Sequence, residues 1–269
     1  MKRTVTGMKR RKDIFFFGAV LVIMAAFLAF IVLPAIEASV NDYIESRVES
    51  GIRRSAQDMH VQALLQAARE SEEFVASRMG MARSYPNRYV LFDASLSRVD
   101  PKLNGMYCEF GVYRGASINY IASRVSAVVH GFDSFVGNPE DWRPGFEKGM
   151  FPAQGLPRVR PNVRLHKGWF KDSLPVFKKD HPEPLAFGHL DADLYSSTKD
   201  VFDALGDHIV AGTVLQFDEF LNYPGWQEGE SKAFLEFCQA RSAEVEYLGY
   251  VANDQQVAVR IKKIAPPSP

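Results

Sequence analysis

The sequence predicts an α/β fold built on a mostly parallel sheet, and three observations predict it. From about residue 87 onward, short β-like runs alternate with helical stretches; glycines and acidic residues gather where those runs end; and the alternation closes in two consecutive strand-like runs. Alternation argues for a parallel sheet with helices on both faces, because parallel neighbours need a crossover between them.

The strand-like runs are Tyr107–Val112, Val128–Asp133, Val163–Lys167, Leu185–Asp191 and Thr213–Asp218. Helical stretches Ser117–Arg124, Ser196–Leu205 and Glu230–Arg241 fall between or after them. Val245–Tyr250 and Gln256–Lys262, joined by Ala252-Asn253-Asp254, read as a terminal antiparallel hairpin. Five alternating units followed by a hairpin is a more specific pattern than a generic doubly wound sheet.

The chain has 269 residues, 46% hydrophobic and 12% aromatic, enough to bury a full core. Its formal net charge of zero gives no global field to attract nucleic acid, and none is expected as a partner. Cys108 and Cys238 lie in apolar stretches without CxxC spacing and read as small buried hydrophobes. The six histidines show no HExxH or His-x-His pairing, so a His/Cys metal site is not expected.

Residues 1–36 read as a basic tail and a membrane anchor. No residue between Asp13 and Glu37 is charged, and the apolar run Ile14–Leu33 spans roughly the ~30 Å hydrocarbon core. It is longer than the apolar region of a cleaved signal, and Ile36-Glu37-Ala38 is a poor cleavage site. Lys2, Arg3, Lys9, Arg10, Arg11 and Lys12 precede it, which by the positive-inside rule puts the N-terminus in the cytoplasm. Residues 37–86 read as a helical stalk or cover. Val40, Ile44, Val48 and Ile52 recur every four residues, opposite a charged face, and residues 37–79 are a candidate dimerising helix. Arg83-Ser-Tyr-Pro-Asn breaks that helix, and the globular part is taken as 87–269.

In an open α/β sheet, ligands sit beyond the carboxyl ends of the strands. The first strand runs into Glu109-Phe-Gly-Val-Tyr-Arg-Gly-Ala-Ser117, where Gly111 and Gly115 bracket a tight turn that lets backbone approach a ligand. The second ends at Asp133-Ser134, an acid placed to accept hydrogen bonds from ribose hydroxyls. After the third come Gly168 and Trp169, an indole able to flank a planar base. Together Glu109, Gly111, Tyr113, Gly115, Ser117, Asp133, Ser134, Gly168 and Trp169 are the candidate contacts of an adenosyl or adenine-dinucleotide cofactor.

At the ends of the fourth and fifth strands stand Asp191 and the pair Asp218-Glu219. Three carboxylates on one rim repel unless a cation binds, and a hard ion such as Mg²⁺ suits oxygen donors. Asp193, before Ser196-Ser197-Thr198, reads as a helix cap.

These segments resemble the macrocin O-methyltransferase family. The motifs are matched by Glu109–Ser117, Phe132–Phe135, Gly168–Pro175, Phe217–Phe220 and, most specifically, His189–Thr198. The resemblance covers roughly residues 87–262 and implies a Rossmann-like class I methyltransferase fold with a seven-stranded sheet. It further implies S-adenosylmethionine as cofactor, Mg²⁺ on Asp191, Asp218 and Glu219, and a hydroxyl of a sugar or other polyol as methyl acceptor. The arrangement is also similar to catechol O-methyltransferase, but Leu194 stands where that enzyme has its lysine base. Asp191 is then the candidate proton acceptor. Ala116 and Glu219 depart from the family's usual glycine and aspartate, and the anchor is not part of its pattern. An adenine-dinucleotide oxidoreductase and a membrane-tethered binding protein with a degenerate site are the alternatives.

Overall fold

The computed structural model describes residues 21–266. The basic residues Lys2 to Lys12, and the stretch of the anchor before Leu21, lie outside them. The described chain divides into two compact units, one up to Gln62 and one from Ala63 onward.

The first unit is helical. Helix α1 (Leu21–Gln57) has a π-helical stretch at Leu28–Val32 and is the one described helix long and apolar enough to cross a membrane by length and composition. Val40, Ile44, Val48 and Ile52 are about half exposed or more along it, so their periodic stripe buries nothing within this unit. The helical stretch expected to run on to Met79 is interrupted at Asp58, whose backbone is extended. Its Oδ1 accepts from the N–H groups of His60 and Val61, and this cap starts α2 (Met59–Phe74).

The second unit holds a single sheet in the order β1-β7-β8-β6-β5-β2-β3-β4. Strands β2 (Met106–Phe110), β3 (Val129–Asp133), β4 (Val163–Lys167), β5 (Leu185–Leu190) and β6 (Val214–Phe217) are mutually parallel. The hairpin β7 (Glu244–Val251) and β8 (Val257–Lys263) closes the sheet, β8 lying antiparallel to both β6 and β7. All seven expected strands are present, with ends shifted by two residues at most.

An eighth strand corrects the seven-stranded expectation. β1 (Arg83–Tyr85) pairs parallel with Gly249–Val251 of β7. Three residues carry no readable alternation, so the segment reads from sequence only as a helix breaker.

Helices α3 (Arg88–Leu96), α4 (Ala116–Arg124), α5 (Phe170–Asp180), α6 (Tyr195–Leu205) and α7 (Glu230–Ala240) complete the unit. β5 is buried along its whole length, as a central parallel strand must be. Phe92, Phe110, Phe132, Phe187, Phe217, Phe220 and Phe234 are all fully buried, each worth roughly 1.5–3 kcal/mol against exposure. Residues 67–79 pack onto this core: Ala67 and Met79 are buried, and the Phe74 ring meets Phe220, Trp226 and Tyr247. Ser71 Oγ accepts from the Asn222 N–H at 2.8 Å. Cys108 is buried and Cys238 partly so, as small hydrophobes.

Three of the six histidines come together in space. His130 Nδ1 lies 3.0 Å from His166 Nε2 across β3 and β4, and the His181 ring packs 4.8 Å from that of His130. Adjacent strands bring together residues that sequence spacing keeps apart.

Candidate active site

The order of β4, β3, β2, β5 and β6 puts the switch point between β2 and β5, and the site forms at their carboxyl ends. Gly111 follows β2 with φ +95°, and a Cβ there would lie 1.7 Å from the Asp191 carbonyl oxygen. Only glycine permits that approach. The Asp191 N–H donates to the Phe110 carbonyl at 2.8 Å and the Gly111 N–H to that of Phe132 at 2.9 Å. Tyr113 continues the turn at φ +47°, and Gly115, at φ +82°, is the N-cap of α4.

Asp133 organises this turn. Its Oδ2 accepts from the N–H groups of Val112 and Tyr113 at 2.8 and 2.7 Å, and its Oδ1 from that of Phe135 at 2.6 Å. Two carboxylate oxygens offer about four acceptor positions, so the three bonds leave room for a ribose hydroxyl. Ser134 Oγ accepts from the Val136 N–H. Gly168 has φ +152°, and Trp169 after it is 36% exposed. Gly111, Tyr113, Asp133, Ser134, Gly168 and Trp169 line one cavity of about 860 Å³. Glu109, Gly115 and Ser117 do not line it. Ser117 is buried in α4, and Glu109 is fully buried with Oε1 2.8 Å from His189 Nδ1.

The same cavity is lined at its other end by Asp191, Asp193, Asp218 and Glu219. Burial and the neighbouring Asp218 hold the Asp191 carboxyl well above its usual range, and burial with the surrounding carboxylates does the same to Glu219. Asp218 differs. Burial would raise it, but the close approach and charge of His189, with the Arg88 guanidinium, bring it below the ordinary value. Arg88 Nη1 is 2.9 Å from Asp218 Oδ2, and His189 Nε2 is 3.6 Å from Oδ1. Burial opposes the charge on His189, yet Asp218 and Glu109 outweigh it and lift the imidazole to about 10.

Asp193 does not cap a helix. The N-cap of α6 is Leu194, with no side-chain cap bond, and Asp193 sits at φ +59°. Its Oδ2 instead accepts from Asn138 Nδ2 at 2.9 Å, and burial pushes its carboxyl up to about 6. Behind the rim, Glu230 accepts from the N–H groups of Ala192 and Glu219 at 3.0 and 3.2 Å. Burial raises its carboxyl to about 8. Arg88, Asn138 and Glu230 lie outside every motif read from the sequence. His189 lay inside one, and a charged-type residue in an apolar strand was the signal to use.

The residues fit a hard divalent cation. Oxygens of Asp191, Asp193 and Glu219 lie within 4.8 Å of one another, and Asp191 and Asp218 form a second such group with His189. Glu219 Oε2 is buried without a hydrogen-bond partner. The set is oxygen-rich, as Mg²⁺ requires. However, the rim is not a purely acidic triad: Arg88 and His189 already supply positive charge to Asp218.

Residues 151–243 match the model of a family described as macrocin O-methyltransferase (TylF). That segment contains the Gly168–Pro175, His189–Thr198 and Phe217–Phe220 motifs. Among solved structures, the calicheamicin methyltransferase CalS11 aligns with a TM-score of 0.55 at 21% identity, over 74% of this chain and 90% of that one. The O-methyltransferase NovP aligns at a TM-score of 0.48 and 20% identity, over 65% and 80%. The first likeness shows the fold; the second is too distant to carry an argument. No curated protein sequence matches this chain. The family match and the fold bear out the resemblance read from the sequence: the chain is an S-adenosylmethionine-dependent O-methyltransferase, similar to the macrocin O-methyltransferase family, on a class I methyltransferase fold.

Proposed function

We propose that this enzyme methylates a hydroxyl of a sugar or other polyol with Mg²⁺ assistance, at the membrane to which residues 14–33 anchor it. The observation that carries the reading is the single cavity of about 860 Å³, with the glycine turn and Asp133 at one end and four carboxylates at the other. S-adenosylmethionine would lie along Gly111, Tyr113, Asp133, Ser134, Gly168 and Trp169, while Glu109, Gly115 and Ser117 shape the turn from behind. Asp133 would hold the ribose, and Trp169 would flank the base.

The residues proposed to hold the ion are Asp191, Asp218 and Glu219, with Asp193 beside them. When bound, Mg²⁺ supplies a Lewis acid that lowers the pKa of a chelated hydroxyl. The protein's own part is to hold the acceptor oxygen in line with the methyl group, which raises its effective concentration. Asp191 is the proposed proton acceptor, on the acceptor side of the cavity and within the same cluster as Asp193. Arg88 pairs with Asp218 at 2.9 Å and would share its charge with the ion.

On this reading residues 1–36 are the tail and anchor, 37–86 the stalk or cover, and 87–269 the methyltransferase. For residues 67–79 the cover reading is supported by the packing of Ala67, Ser71, Phe74 and Met79. The exposed stripe of α1 supports homo-oligomer contacts within 37–79. By the charge rule the N-terminus is cytoplasmic.

The test is a methyl-transfer screen with labelled cofactor against lipid-linked and soluble glycans, with Mg²⁺ and with EDTA. Transfer to a glycan hydroxyl that EDTA stops supports the reading. Transfer only to non-polyol acceptors, or full transfer in EDTA, overturns the substrate or metal part respectively.

A further inference from the structure

Glu230 is the first residue of α7 and has no exposure at all. Its Oε1 accepts from the Ala192 N–H at 3.0 Å and its Oε2 from the Glu219 N–H at 3.2 Å. Ala192 stands between Asp191 and Asp193 in the loop after β5, and Glu219 is in the loop after β6. One side chain therefore bridges, through backbone, the two loops that carry every carboxylate of the rim. The turn that leads into α7 is tight: a Cβ at Gly229 would meet the Tyr223 hydroxyl at 2.3 Å.

We propose that Glu230 is a positioning residue that sets the spacing of the two acid-bearing loops, and through it the affinity of the rim for a divalent ion. The proposal rests on the reading of that rim as the ion site. Both oxygens are needed as acceptors. Glutamine keeps the shape but can offer only one acceptor, and its NH₂ group would face the second N–H donor. Glu230→Gln thus breaks one side of the bridge with almost no change in volume. Groups that orient metal ligands from behind typically alter metal affinity by about 10- to 100-fold when changed.

The experiment compares the full chain in detergent as wild type, Glu230→Gln and Glu230→Ala. Hydrogen exchange is read by mass spectrometry, Mn²⁺ binding by electron paramagnetic resonance, and S-adenosylmethionine binding by calorimetry. Ser231→Ala is the control. It removes the bond from Ser231 Oγ to the Trp226 carbonyl, next to Glu230 on the same helix start, and leaves the Ala192 and Glu219 N–H groups with their acceptor. The expected result is faster exchange, by about tenfold or more, in peptides covering 190–195 and 217–222 in both Glu230 variants. Mn²⁺ affinity should fall by about tenfold or more, while cofactor affinity stays within about twofold. Ser231→Ala should do neither.

Unchanged loop exchange in Glu230→Gln overturns the proposal. So does a uniform rise across the whole chain, or an Mn²⁺ affinity equal to wild type. Absence of Mn²⁺ binding by the wild type would sink the ion reading and the affinity half of the proposal, and the exchange readout would still judge the bridge. Should Glu230→Ala not fold, the near-isosteric glutamine variant decides.

Discussion

Arg88 Nη1 lies 2.9 Å from Asp218 Oδ2, so the carboxylate that ends the fifth strand of the parallel core already holds a cation from a helix far away in sequence. A metal at Asp218 and the guanidinium draw on the same negative charge. Arg88→Met should therefore tighten Mn²⁺ binding and lower stability modestly, by about 1 kcal/mol given the half-exposed arginine. Titration of Mn²⁺ together with chemical unfolding checks both. Weaker Mn²⁺ binding would show that Arg88 orients Asp218 for the ion instead of competing with it.

Asp133→Ala should lower S-adenosylmethionine affinity by at least roughly tenfold, since a charge-assisted hydrogen bond is worth about 1.5–3 kcal/mol. The same change should lower the melting temperature. Three backbone N–H groups lose their acceptor, at Val112, Tyr113 and Phe135. Calorimetry separates the two effects: wild-type affinity would mean that the ribose sits elsewhere.

Asp218→Asn should cost about 10² or more in turnover, as expected when electrostatic stabilisation is lost with an ion ligand. Asp193→Asn should also slow the reaction, because Asp193 faces the cavity and not the start of α6. Both variants are assayed beside wild type with excess Mg²⁺ and with EDTA. A silent Asp193→Asn would return that residue to a purely structural place.

Most of the fold was legible because the strands are short, apolar and punctuated by glycine or acid. β1 was not, because three residues show no period. The glycine turn after β2 was legible through Gly111 and Gly115, whose type is dictated by their left-handed backbone, and Asp133 was legible as the acid that ends β3. The reaction end was legible only in part. Asp193 followed by Ser196-Ser197-Thr198 has the composition of a cap, but its left-handed φ turns the carboxylate to Asn138. Arg88 and Glu230 reach the rim from helix starts remote in sequence, and no spacing rule connects them to Asp218 or Ala192.

The His130–His166–His181 group gives a pH dependence. Burial first, then the charges of the other two histidines and of Arg164, depress His130 to about 4, with Glu183 opposing; His166 is depressed too. A histidine held neutral in the folded state binds its proton more readily when unfolded, so stability is full above about pH 6.5 and is lost as pH falls toward 4. Melting temperature followed from pH 7.5 to 4 should show this decline. His130→Phe, which keeps the ring packing against Phe177, should flatten it; an identical decline in the variant would assign the effect to other groups.

Deletion of residues 1–36 should release the enzyme from membranes into solution. The basis is the uncharged apolar span from Ile14 to Leu33. Carbonate-resistant membrane association of the shortened chain would mean that a second element holds it there.

The contact between Gly111 and the Asp191 carbonyl leaves no space for even one added carbon atom. The ends of β2 and β5 are thus built against each other, and neither can be remodelled without the other. The segment from Val136 to Phe151 also lines the cavity and belongs to no strand, and exposed positions in it such as Val136 carry no such contact. Under the proposed reading of the site, an engineer seeking a new methyl acceptor should vary the exposed positions of that segment and leave the Gly111–Asp191 contact untouched.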